Sequence, residues 1–93
     1  MKMQQFDDIW DAIEATPAKA ANMRARSDLM IALHKVVKAW NVTQATAAKR
    51  LGLTQPRMND LMRGRISKFS LDALMNLASR AGLTVRLQVR KAA

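Results

Sequence analysis

Residues 43–64 read TQATAAKRLGLTQPRMNDLMRG, two short helical patterns that each open on Thr-Gln and close on glycine, at Gly52 and Gly64. A hydroxyl just ahead of a helix accepts one of the orphaned N–H groups of the first turn. Glycine past the last turn supplies the left-handed residue that ends it at least cost. The spacing therefore predicts helices at about 44–51 and 55–63, capped by Thr43 and Thr54. Pro56 falls in the first turn of the second, where a missing N–H does no harm. Ala47 is small enough for the two helices to cross closely, and Ala48, Leu51, Leu53, Met58 and Leu61 supply the apolar contacts between them.

Two helices across so short a turn form a helix-turn-helix, whose second helix lies in the DNA major groove with its N-terminal residues at the base edges. The side chains suit that task. Thr54 and Gln55 begin the second helix, where free N–H groups and the positive dipole end attract a phosphate. The Pro56 ring can meet a thymine methyl, and Arg57 can donate two hydrogen bonds to guanine or reach a phosphate. Asn59 can pair with adenine or bind the backbone. Asp60 can accept from cytosine, or pair internally with a neighbouring arginine. Gln44 directs its amide and its helix N-terminus at the backbone. Arg63, Arg65 and Lys68 cluster after the second helix as phosphate contacts, which fix register and give salt-dependent affinity without reading sequence.

Outward from this motif, Ser70 and Gly82 bracket a further helix at about 71–81. Upstream, Thr16-Pro17 reads as a cap and first-turn proline. The helix it opens carries Met23, Met30, Leu33, Val37 and Trp40 on one face, with Ser27 as a candidate break. Before it, Phe6, Ile9, Trp10 and Ile13 recur at helical spacing opposite Asp7, Asp8 and Asp11. Beyond Gly82 the period changes to strict alternation: Leu83, Val85, Leu87 and Val89 point one way, and Thr84, Arg86, Gln88 and Arg90 the other. That pattern predicts a half-buried strand. The chain offers it no partner, so the expected partner is the same strand of a second copy, in an antiparallel two-fold ribbon. The expected fold is all-α: one five-helix domain with an N-terminal helical extension (1–26), a helix-turn-helix core (27–82) and a dimerisation strand (83–90).

Composition narrows the chemistry. The 93 residues carry a formal net charge of +9 and no cysteine, and 4% are aromatic. Residues 1–34 sum to −1 and residues 35–93 to +10. So basic a half calls for a polyanionic partner, with nucleic acid first. Without cysteine there is no disulfide, thiolate nucleophile or Cys zinc site. His34 is the single histidine and has no Ser, Cys or carboxylate partner at catalytic spacing, so it reads as a solvated or partly packed imidazole. Nothing points to an enzyme, a cofactor or a metal. Scarce aromatics argue against a platform for stacking single-stranded RNA. No apolar run approaches the roughly 20 residues of a membrane span, and the N-terminus lacks a signal-peptide core. A cytoplasmic, nucleoid-associated protein is the expectation.

The stretch around residues 27–82 resembles the Cro/repressor-like family of helix-turn-helix proteins, of the xenobiotic-response-element (XRE) type. Residues 20–30 (AANMRARSDLM), 53–57 (LTQPR) and 69–74 (FSLDAL) look like one subgroup, the HigA-like antitoxins, and extend the resemblance over nearly the whole chain. Where the family has a glycine before the Thr-Gln start, Trp40-Asn41-Val42 stands here, leaving Asn41 to take the left-handed position, which asparagine tolerates. The resemblance implies a homodimer that binds a palindromic operator, represses its own operon and neutralises a small RelE/HigB-type toxin. RNA-cleaving toxins need basic surfaces, so Phe6, Asp7, Asp8, Trp10 and Asp11 form the expected toxin contact. The competing reading is a plain, prophage-like transcriptional repressor with no toxin.

Overall fold

The computed structural model describes residues 16–91. Among them are four α-helices, α1 (Pro17–Trp40), α2 (Gln44–Leu51), α3 (Gln55–Met62) and α4 (Leu71–Arg80), with a short 3-10 turn at Ile66–Lys68 between α3 and α4. Each helix opens on a side-chain cap. Thr16, Thr43, Thr54 and Ser70 accept from the backbone N–H of Lys19, Thr46, Arg57 and Ala73 at 3.1, 3.2, 3.4 and 3.1 Å. Each such cap contributes about 1 kcal/mol. Asn41 ends α1 in the left-handed region, at φ 52° and ψ 48°, as the replacement of glycine there requires.

The core is one apolar cluster. Met23, Met30, Leu33 and Val37 of α1 meet Ala47, Ala48 and Leu51 of α2, Met58 and Leu61 of α3, Ile66, Phe69, and Leu74 and Leu77 of α4. The α1 helix packs chiefly on α4, and α2 on α3. Ala47 is fully buried at the helix crossing, while Leu53 and Trp40 are half-buried at the margin. Gly52, at φ 71°, closes α2, and a Cβ there would come within 2.9 Å of the Arg80 guanidinium. The left-handed backbone is what calls for glycine there, since the exposed Arg80 side chain can move aside.

The expectations at Ser27 and beyond Gly82 need correction. The α1 helix runs unbroken through Ser27 and past residue 26, because Ser27 lies in register with Met23 and Met30. Packing of that stripe outweighs the weak helix preference of a single serine. The four helices correspond to four of the five expected, and the helical stretch expected at residues 6–13 lies outside the described residues. Residues 83–91 form no strand. A ladder needs a second strand, and the single chain supplies none. Leu83 and Val85 instead lie half-buried along an apolar groove with Leu29, Leu71 and Met75, while Leu87 and Val89 are 83% and 89% exposed.

Candidate nucleic-acid interface

Both Thr-Gln starts present their first-turn N–H groups at helix ends capped by exposed threonines, Thr43 and Thr54, with Gln44 and Gln55 exposed beside them. The turn is tight: Gly52 N–H and Leu53 N–H donate back to the carbonyls of Lys49 and Ala48, at 3.2 and 2.8 Å. On α3 the exposed residues are Gln55, Pro56 and Asn59, and Arg63 continues that face just beyond the last turn. Their spacing of one, four and eight residues sets them on one side of the helix, opposite buried Met58 and Leu61.

The remaining expected contacts are not all free. Asp60 is half-buried and accepts from Arg65 Nη1 at 3.3 Å. Of the two roles open to it, the internal pair is the one occupied here. A single, partly exposed pair of this kind adds about 1 kcal/mol at most, and its effect is to orient Arg65. Arg57 is also engaged. Its Nη1 donates to the Lys68 carbonyl at 2.7 Å, and its guanidinium lies over the Phe69 ring at 4.1 Å. Lys68 itself is exposed at the end of the 3-10 turn. The structure thus brings Gln44, Thr54, Gln55, Pro56, Asn59, Arg63 and Lys68 to the surface and holds Arg57, Asp60 and Arg65 in internal contacts.

Two further residues position the site and carry no sequence signal for it. Arg26 of α1 donates through Nη1 to the carbonyls of Ile66 and Phe69, at 3.3 and 3.2 Å, and through Nε to Asn22 Oδ1 at 2.8 Å. His34, half-buried on α1, donates from Nε2 to the Leu61 carbonyl and so anchors the last turn of α3 to α1. A packed imidazole fits the sequence expectation. The expected toxin contacts Phe6, Asp7, Asp8, Trp10 and Asp11 lie outside the described residues. Among the described residues no cluster of His, Cys, Asp or Glu could hold a metal. No helix among them is long and apolar enough to cross a membrane.

The comparisons with known proteins fit this geometry. A family model described as a helix-turn-helix domain matches residues 13–90. A solved structure described as an XRE family transcriptional regulator is 32% identical, with a TM-score of 0.72, over 78% of this chain and 82% of that one. No curated protein matches the chain. The match covers all four helices and the turn between α2 and α3, and the chain belongs to the helix-turn-helix domain family, of the XRE type.

Proposed function

We propose that the chain is a sequence-specific DNA-binding transcription regulator that represses its own operon. One observation carries this reading: the exposed face of α3, with Gln55, Pro56 and Asn59 at its N-terminal half and Arg63 and Lys68 flanking it. Amide and apolar groups at that end suit base edges, and the flanking cations suit phosphates. Thr54 and Gln44 suit helix-end contacts to the backbone, and Arg65, oriented by Asp60, adds positive charge beside them. The direct test is titration with the duplex upstream of its own reading frame, against unrelated duplex as competitor.

The regulator acts as a two-fold homodimer on a palindromic operator, its two α3 helices about 34 Å apart. The alternation of Leu83, Val85, Leu87 and Val89 and the exposure of the last two suit pairing of residues 83–90 with a second copy. It is also an antitoxin that neutralises a small RelE/HigB-type toxin. That part rests on the HigA-like motifs and on the acidic, amphipathic stretch Phe6, Asp7, Asp8, Trp10 and Asp11, which suits a basic partner. Reversing Asp7, Asp8 and Asp11 to Lys should weaken binding of a toxin encoded beside the gene at least tenfold and leave operator binding intact. Unchanged toxin affinity in a pull-down titration, or no neighbouring reading frame of suitable size, would leave the plain repressor.

A further inference from the structure

Arg57 stands third in α3, where a long cation would be expected to read a base, yet its guanidinium is committed elsewhere. It donates to the Lys68 carbonyl at 2.7 Å and stacks on Phe69 at 4.1 Å, and it is half-buried. From the other side, Arg26 donates to the carbonyls of Ile66 and Phe69. Two guanidinium groups thus hold three carbonyls of one four-residue turn. A planar fork suits this, because it can satisfy carbonyl oxygens at its edge while its face lies on an aromatic ring. The turn so held includes Lys68, which is exposed beside the recognition helix.

We propose that Arg57 is a positioning residue and not a base reader: with Arg26 it clasps the turn after α3 so that Lys68 meets the DNA backbone. This rests on the DNA-binding reading above and changes the assignment within it. Sequence is read by Gln55, Pro56 and Asn59, and Arg57 acts on affinity through Lys68. A base reader alters preference at one base pair. A residue acting through a phosphate contact weakens binding to all sequences alike and lowers the salt slope by about one.

The test uses the full chain with Arg57→Ala, Lys68→Ala and the double variant. Affinity is measured for the operator and a panel of single-base-pair variants across a salt series, and amide exchange of Lys68 and Phe69 without DNA. In the unaltered chain those amides donate to the Arg65 and Ile66 carbonyls, at 3.0 and 3.2 Å. All three variants should lose affinity equally across the panel, each with the slope lowered by about one and the double no worse than the singles. Arg57→Ala should also speed exchange at both amides at least tenfold. A double variant that loses twice the slope would overturn the proposal, as would an Arg57→Ala protein that changes preference at one base pair or exchanges no faster. Wild-type chain that grips no DNA would overturn it through the reading beneath it, and the exchange arm, run without DNA, tells that failure from a failure of the clasp.

Discussion

Ser27 sits four residues after Met23 and three before Met30, in the middle of the stripe that α1 buries, and its hydroxyl is buried without a hydrogen-bond partner. An unsatisfied buried hydroxyl costs about 1–3 kcal/mol, and alanine also has the better helix propensity. Ser27→Ala should therefore stabilise the fold by about 1 kcal/mol, a rise of about 4–8 °C in Tm for a domain of this size. A thermal melt that shows no change or a fall would mean that the hydroxyl is satisfied in solution. Arg57 teaches the complementary lesson. Its residue type and place in α3 allow a base contact, and the carbonyl and ring that engage it are visible only in the fold and carry the proposed positioning role.

At the scale of elements, what could be read and what could not divide by sequence distance. The capping residues Thr16, Thr43, Thr54 and Ser70 act on N–H groups three residues away. Asn41 and Gly52 act within one turn of the helices they end. Such local signals place α2, α3 and α4 to within a residue of their observed bounds. Arg26 meets carbonyls 40 and 43 residues on, and His34 one 27 residues on, and no local pattern announces such partners. The C-terminal segment fails for a different reason, since alternation specifies which side chains share a face but not whether a ladder exists. If residues 83–90 pair with a second copy, Leu87→Asp with Val89→Asp should convert a dimer to monomer in sedimentation velocity. Both side chains are exposed in the single chain, so Tm measured at dilution should hardly move. A dimer that survives both substitutions would place the interface elsewhere.

Over the whole molecule, charge and shape point the same way. The +10 carried by residues 35–93 includes Arg63, Arg65 and Lys68, which follow α3, while the acidic residues concentrate before residue 35. Charge alone identifies a polyanion and cannot separate a sequence reader from a sticky basic surface. The proposed sequence reading rests instead on the exposed face of α3, with Gln55, Pro56 and Asn59. The decisive measurement is a titration of the duplex upstream of the gene with wild-type chain and with Gln55→Ala, at low and physiological salt, in excess unrelated duplex. Wild type should resist the competitor at both salts, and Gln55→Ala should lose about 1–3 kcal/mol of discrimination, confined to one or two base pairs. Binding that every duplex removes equally, or a Gln55→Ala protein that discriminates as well as wild type, would contradict the assignment of α3 as the reader.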